Sequence, residues 1–305
     1  MRIGCAGVCA VMLATAAAGE VNLKWIPAGT QWLIELDMRA LASSTAAGRL
    51  REQWTALGGT GVMSRLDQIA QATGIDMHRD LWSLALYGGA LGEPSGGAIV
   101  RGRWDAARIT SHLERQRAFK RLPYGDKTIL GWIDGTPLFA CLASRDLAVF
   151  ALDEASMKRA LDTLAGRRPG LAQTPAFAGF NQLGQAPLMR FLAGGVGRLA
   201  QADARAAMLQ QAETACLTVT ETPGNGNLRL TGKLGMLNAE AAAQLLMMLQ
   251  GLQAMAQMQS QADPALAGLA GAVQVSAADR NVDLQATLGP AALQSLMKQL
   301  PGILP

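Results

Sequence analysis

The sequence predicts an α+β protein, built as two tandem copies of a β-α-β-β-α-β-β-α unit with antiparallel sheets and helices on one face. Apolar and polar residues alternate on both sides of a glycine-rich turn between Leu81 and Trp104, which is the pattern of a β-hairpin. Asp105 follows where a helix N-cap belongs. The same order of strand, turn, strand and helix returns near the C-terminus, and this return predicts the duplication.

The second copy is recognised by a shift of 130 residues, which lays 228–234 over 98–104. The shift places Gly232 on Gly102 and matches apolar with apolar positions. A Pro-Gly-Asn-Gly sequence at 223–226 supplies the second turn. A duplicated α+β unit folds either as two similar domains or as one continuous sheet, and the pattern leaves both open.

The chain divides into four predicted segments. Residues 1–19 form a signal peptide, 20–166 the first repeat, 167–183 a linker with a short helix, and 184–305 the second repeat. The signal peptide is predicted because one basic residue, Arg2, precedes an uncharged run that ends in three alanines. We therefore expect export to the periplasm or the extracellular space, with no transmembrane helix after cleavage.

The composition favours a folded protein and excludes one class of partner. Half of the 305 residues are apolar, so a sizeable core can form, whereas charged residues make up only 16%. Lys and Arg number 27 against 23 Asp and Glu, which gives a formal net charge of +4. This small excess does not indicate nucleic acid as a partner.

The familiar catalytic signatures are absent from the sequence. It contains no HExxH, GxSxG or Walker motif, and no CxxC pair. His78 stands between Asp76 and Asp80, but three polar residues in a short connection are typical of a solvated turn. We therefore predict a binding or structural protein without catalytic residues, cofactor or metal, while leaving an enzyme open as the alternative.

The enzyme alternative depends on a GxGxxA motif formed by Gly195, Gly197 and Ala200. This motif follows a predicted strand and opens a predicted helix, and the next strand ends at Glu221. A dinucleotide site places a ribose-binding acid at about that position. The export signal and the antiparallel hairpin that follows argue against the alternative.

Basic residues are concentrated between Arg101 and Lys127. Arg108, His112 and Arg115 fall at helical spacing and predict a positive stripe, which Lys120 and Arg121 continue into the next loop. The stripe is either a solvated face or a binding surface for an anionic envelope component or an acidic protein.

A long helix is predicted from Asn238 to Gln261, with no charge after Glu240. Its predicted apolar face consists of Leu245, Met248, Leu249, Leu252, Met255 and Ala256. We interpret this face as core. The alternatives are an apolar ligand held between the helix and a sheet, and a soft copper ion bound by methionine.

Two cysteines, Cys141 and Cys216, remain after removal of the signal peptide. Both lie among strand-like residues, one in each repeat. An oxidising compartment permits a disulfide between them, and buried free thiols are the other interpretation.

Three short segments carry a resemblance to a known family. They are Ile26-Pro27-Ala28-Gly29-Thr30, Gly74-Ile75-Asp76 with Asp80-Leu81-Trp82, and Thr174-Pro175-Ala176-Phe177 with Leu183-Gly184. In these segments the chain resembles exported bacterial proteins classed as a domain of unknown function. The resemblance covers most of the mature chain and implies export and duplication, but no functional residue.

Together these observations predict an exported, non-catalytic binding or structural protein of the bacterial cell envelope. A nucleotide-binding enzyme that uses residues 195–200 and a carrier of an apolar ligand are the two alternatives. The sequence leaves the oligomeric state open.

Overall fold

The computed structural model describes residues 22–56, 67–68, 70–89, 96–134, 136–174, 177, 187–200, 208–259 and 271–299. The strands are β1 Trp32–Asp37, β2 Leu81–Gly88, β3 Gly96–Gly102, β4 Lys120–Tyr124, β5 Lys127–Asp134, β6 Thr136–Leu142, β7 Leu147–Ala151, β8 Met189–Gly194, β9 Ala212–Thr222, β10 Asn227–Met236, β11 Val273–Ala278 and β12 Asn281–Leu288. The helices are α1 Met38–Ser43, α2 Thr45–Ala56, α3 Ala106–Leu113, α4 Glu154–Leu164, α5 Val196–Ala200, α6 Ala239–Gln259 and α7 Pro290–Gln299. The predicted signal peptide at 1–19 and most of the helix predicted in the linker lie outside the described residues.

The strands of the described residues form one sheet in the order β11-β12-β10-β9-β8-β1-β2-β3-β7-β6-β5-β4. All neighbouring strands are antiparallel. The α+β class is confirmed, and of the two arrangements that the sequence left open, the described residues form the single continuous sheet. The two halves join because β1 pairs with β8, from Trp32 opposite Ala193 to Leu36 opposite Met189. This pairing removes two open strand edges, which would otherwise expose unpaired backbone groups.

The two halves differ in their number of strands. From β8 onward the described elements run β-α-β-β-α-β-β-α, which is the predicted order. The first half has two strands more, because β4 and β5 form a hairpin at the sheet edge. β3 and β10 are each the second strand outward from the central β1–β8 pair. The duplication itself stays a prediction.

Helices cover both faces of the sheet, so the prediction that they lie on one face is wrong. Met157 and Leu161 of α4 pack with Leu33 and Val149, and we call this side the α4 face. The clusters that contain α1, α2, α5, α6 and α7 lie on the opposite side, which we call the α3 face. Both faces need cover because strand β7 is apolar on both, with Val149 on one side and Phe150 on the other.

The predicted hairpin and helix cap are present as the sequence indicates. Strands β2 and β3 pair along their length, with a bulge near Leu81. Glycine is required at 102 because a Cβ there would come within 2.6 Å of the Asp80 carbonyl oxygen. The Asp105 side chain accepts hydrogen bonds from the backbone nitrogens of Ala107 at 2.9 Å and Arg108 at 3.0 Å. These bonds satisfy N–H groups that have no partner within the helix and fix where α3 begins.

A buried ion pair lies at the junction between the two halves. Arg190 of β8 stands opposite Glu35 of β1, and their side chains approach to 3.3 Å between Nη1 and Oε2. Both side chains are almost fully buried, at 2% and 7% exposed. Such pairs are costly to break because the remaining charge is left without compensation in a poorly solvated site.

The strand order decides between the two interpretations of Cys141 and Cys216 and excludes a disulfide between them. Cys141 lies in β6 and Cys216 in β9, six neighbour steps apart. At about 4.8 Å a step the two strands are roughly 29 Å apart, whereas a disulfide needs Cα atoms within about 7 Å. Both cysteines are free thiols, and burial raises the pKa of each to about 11.

Candidate ligand-binding cavity

Helix α3 is amphipathic, yet none of its residues is buried. It follows β3 through the Asp105 cap and crosses the α3 face of the sheet, with Ile109 and Leu113 on the side toward the strands. A helix that packs directly on a sheet normally buries its apolar stripe. Here an apolar cavity separates the two.

The apolar cavity has a volume of about 360 Å³. Its floor consists of sheet residues Val100, Leu130, Trp132, Leu138, Ala140, Leu142, Ala148 and Phe150. Its roof and walls consist of Thr73, Ile75, Met77, Leu81, Trp104, Ile109, His112, Leu113 and Gln116. Ligand sites are typically concave, mostly apolar and about 300–1,000 Å³ in volume, so the cavity falls within this range.

Few polar groups line the apolar cavity. His112 and Gln116 are one helical turn apart, and their Nε2 atoms lie 3.3 Å from each other. Because the histidine and the glutamine bond to one another, they add little polarity to the cavity wall. The cavity therefore suits an apolar molecule better than a charged one.

The sequence did not reveal this cavity. The lining residues on β6 and β7 alternate in the ordinary way for a strand, and such a pattern is satisfied equally by a filled core. One feature of the sequence was nevertheless informative. Both faces of β7 are apolar, so each needs a packing partner of its own. The short α3 covers its side only in part.

Arg108 contributes to structure rather than to a free basic surface. Its Nη2 donates to the Gln71 carbonyl oxygen at 2.8 Å and its Nε to the Ala72 carbonyl oxygen at 3.3 Å. These carbonyls lie in the last turn of the helical segment at 70–73. Arg108 thus provides hydrogen-bond donors for the backbone carbonyl groups at the end of that segment, as basic side chains commonly do at helix C-termini.

The other predicted basic residues do not form one stripe with Arg108. His112 lines the apolar cavity, and Arg115 is exposed. Lys120 and Arg121 lie in β4 rather than in a loop, so their side chains point to opposite faces of the sheet. Arg121 pairs with Glu114 near the end of α3, whereas Lys120 lies over the Phe139 ring of the α4 face and 4.0 Å from Glu154.

The GxGxxA motif has a structural explanation. Gly195 has a φ of +65°, which favours glycine, and a Cβ at Gly197 would come within 2.2 Å of the Gln210 carbonyl oxygen. The described part of the helix that contains Gly197 and Ala200, Val196–Ala200, lies between β8 and β9, which are antiparallel neighbours. A dinucleotide site needs a crossover between parallel strands, which this connection does not make.

Glu221 lies far from the glycines and has another role. It is seven residues along β9 from Thr214, the partner of Gly194, or roughly 23 Å at about 3.3 Å per residue. Its Oε1 accepts a hydrogen bond from the backbone nitrogen of Ala46 at 3.1 Å, near the start of α2. Glu221 therefore stabilises a helix terminus, and the predicted nucleotide site is not formed.

The polar turn around His78 is held by its own hydrogen bonds. Asp76 accepts from the backbone nitrogens of His78 and Arg79, and the His78 ring bonds to Arg51 at 2.9 Å. Asp80 accepts from the Asp76 backbone nitrogen at 2.9 Å and from an Arg side chain, Arg103, at 2.8 Å. The described residues contain no group of three or more His, Cys, Asp or Glu side chains that could hold a metal ion.

Asp80 is expected to stabilise the fold in a pH-dependent way. The Asp76 backbone N–H, and then Arg103, lower the pKa of Asp80 from 3.8 to about 2. Because this pKa is depressed, the contribution is complete above about pH 4 and is lost as the pH falls toward 2. Asp80→Asn should lower the free energy of unfolding by about 1.5–3 kcal/mol at neutral pH, measured by denaturant unfolding. The difference in unfolding free energy between wild type and Asp80→Asn should shrink at about pH 2. If it is as large there as at neutral pH, this assignment is contradicted.

Helix α6 packs differently from the prediction. Ala241, Ala242 and Leu245 contact the sheet, and Leu249 is partly buried against it. Met248, Leu252 and Met255, which were expected in the core, are about half exposed, and Met247 and Met258 are more so. The small alanines let the helix approach the sheet on one side, so the methionines are left outside. Among the described residues these methionines do not line the apolar cavity.

No helix among the described residues combines the length and apolar character needed to cross a membrane.

Comparison with known proteins identifies a shared fold. Crystal form III of TP0453 superposes with a TM-score of 0.54 at 10% identity, covering 92% of this chain and 99% of that one. Crystal form I gives 0.52 over 92% and 98%, and form IV gives 0.53 over 93% and 98%, each at 10% identity. No protein-family model and no curated protein matches the chain. The likeness to TP0453 extends over nearly the whole of both chains and concerns the fold alone.

Proposed function

We propose that this chain is an exported, non-catalytic binding protein of the bacterial cell envelope that carries an apolar molecule in the apolar cavity. The observation that carries the proposal is the cavity of about 360 Å³ between α3 and the sheet, lined largely by aliphatic and aromatic side chains. An engineered apolar cavity of about 150 Å³ holds benzene, so this one has room for a ligand at least about twice that size.

Binding would be driven by removal of apolar surface from water. Trp132, Leu138 and Phe150 would contact the ligand from the sheet, and Ile109 and Leu113 would close over it from α3. Each ligand methylene group buried there contributes about 0.8 kcal/mol. The ligand class is therefore a neutral or weakly polar molecule with a hydrocarbon portion.

The test uses N-phenyl-naphthylamine, a neutral probe whose fluorescence rises in an apolar environment. We expect a saturable rise with the purified mature protein, with similar affinity at low and high salt because the cavity lining carries no fixed charge. A linear, non-saturable signal, or binding that salt abolishes, would contradict the proposal.

Export is the second part of the proposal, and it is supported by Arg2, the apolar run and the three alanines before Gly19. N-terminal sequencing of the protein recovered from expressing bacteria should begin near Gly19 or Glu20. Recovery of the chain with Met1 intact in the cytoplasm would exclude export.

The duplication predicted from the sequence belongs to the same proposal. It is supported by the equal distance of β3 and β10 from the central β1–β8 pair, and by helices α3 and α6 that follow them on the same face. In this proposal the two halves differ beneath the corresponding helices. A cavity lies between α3 and the sheet in the first half, whereas α6 packs directly on its strands through small residues in the second. Binding of anionic envelope material by Arg115, Lys120 and Arg121 stays a separate prediction, weakened by the ion pairs of the last two.

A further inference from the structure

A second cavity, of about 310 Å³, lies on the α4 face at the other end of the same strands. We call it the polar cavity, and it is enclosed by the turn at 27–31, the ends of β2 and β3, and α4. The turn belongs to the segment Ile26-Pro27-Ala28-Gly29-Thr30, to which the sequence assigned no role. Its Thr30 backbone nitrogen donates to the Pro27 carbonyl oxygen at 3.0 Å, which turns the chain toward the cavity.

Two hydroxyl groups carried by largely buried residues line the polar cavity, those of Thr30 and Tyr87. The residues are only 7% and 6% exposed. Among the described residues neither hydroxyl has a hydrogen-bond partner, although both backbones are bonded within the turn and the sheet. Their oxygen atoms are not among the fully buried polar atoms of the described residues, so both hydroxyls open into the cavity, where each can donate to a ligand.

Tyr87 is positioned to donate a hydrogen bond. Glycine at 97 leaves room for its ring, because a Cβ there would come within 2.6 Å of the phenol oxygen. Burial raises the pKa of Tyr87 far above its ordinary range, and nearby Arg159 offsets this only in part. The phenol therefore keeps its proton, and it can donate to an acceptor in the cavity.

Arg159 supplies the positive charge, and it is oriented by two neighbours on α4. Asp153 accepts from the Ser156 hydroxyl at 2.5 Å, and that hydroxyl accepts from Arg159 Nη2 at 2.9 Å. This occupies one guanidinium nitrogen and leaves the other N–H groups of the planar fork available. Among the described residues that line the polar cavity, none carries a carboxylate.

We propose that the polar cavity binds a monoanionic oxygen-rich group, a carboxylate or a phosphate ester. Arg159 pairs with the anion, and the Tyr87 and Thr30 hydroxyls donate to its oxygens. One fixed cation and two hydroxyl donors match a single negative charge spread over two or more oxygens. The polar cavity lies on the opposite face of the sheet from the apolar cavity, so its ligand is a second one.

In the test, the mature protein is titrated with propanoate and, separately, with inorganic phosphate, and binding is measured by isothermal titration calorimetry. Arg159→Gln should weaken binding at least about tenfold, and Tyr87→Phe should weaken it by about fivefold, because charge-assisted hydrogen bonds are the stronger ones. Lys158→Gln is the matched control, because Lys158 immediately precedes Arg159 on α4 and pairs with Glu154 outside the cavity. Its affinity should equal that of the wild type. Circular dichroism establishes that each variant is folded.

A second experiment, with vesicles of phosphatidylglycerol, distinguishes a soluble anion from a lipid headgroup. Binding of free anions that Arg159→Gln weakens supports a soluble ligand. A different outcome is that the protein binds no free anion but floats with these vesicles. If Arg159→Gln abolishes this flotation and Lys158→Gln does not, the anion is a lipid headgroup. If neither probe binds, or if Arg159→Gln and Lys158→Gln behave alike, the proposal is overturned.

Discussion

An Arg190→Met variant is expected to lose about 3–5 kcal/mol of its free energy of unfolding. The substitution removes the guanidinium that lies 3.3 Å from the Glu35 carboxylate, at a position where both side chains are almost fully buried. The Glu35 carboxylate then loses this guanidinium contact in the centre of the sheet. The measurement is equilibrium unfolding in denaturant, followed by circular dichroism.

The double variant Glu35→Met/Arg190→Met separates loss of packing from loss of charge compensation. Replacing both partners by apolar side chains of similar size is often neutral, so most of the lost stability should return. Lys158→Met provides an exposed control, since Lys158 pairs with Glu154 at 2.7 Å on the surface of α4. Its stability should stay close to that of the wild type. A double variant as unstable as the single one would contradict the account of the buried pair.

An Ala148→Phe variant is expected to lose binding of N-phenyl-naphthylamine while remaining folded. Ala148 is 2% exposed and lies in the floor of the apolar cavity, so the larger ring enters space that the probe would occupy. Because the cavity accommodates the added volume, we expect a change in unfolding free energy below about 1 kcal/mol, less than the 1–3 kcal/mol typical of overpacking.

Two matched substitutions of alanine by phenylalanine test this explanation. Ala151 lies in the same strand with the same exposure of 2%, but it belongs to the packed cluster of the α4 face. Ala151→Phe should therefore cost about 1–3 kcal/mol. Ala107 is exposed on the outer side of α3, and Ala107→Phe should change neither stability nor probe binding. Equal costs at 148 and 151 would mean that the cavity does not accommodate the ring.

The sequence predicted those features that depend on neighbouring residues. Period-two alternation identified the β2–β3 hairpin, and Asp105 identified the start of α3. Strand β4 was missed because it is polar and contains Pro123, which a strand tolerates at the edge of a sheet. Its position at the edge depends on the order of all twelve strands, which local pattern does not contain.

The candidate sites could not be predicted for a related reason. Arg108 appeared to be a free surface charge, but its partners are carbonyl oxygens 36 and 37 residues earlier in the chain. Gly197 appeared to belong to a nucleotide motif, but it is required by contact with the Gln210 carbonyl. In both cases the decisive neighbour comes from tertiary packing. The apolar cavity is a still stronger case, since its lining comes from β2, β3, α3, β5, β6 and β7.

The central claim, that the apolar cavity carries a ligand, is tested most directly on protein purified from bacterial cells without added detergent. Organic extracts of the wild type, Ala148→Phe and Ala107→Phe proteins are compared by mass spectrometry. The account predicts the same apolar molecule in nearly equal molar amount with the wild type and Ala107→Phe proteins, and its absence from Ala148→Phe. Equal recovery from all three proteins, or no apolar molecule from the wild type, would contradict it.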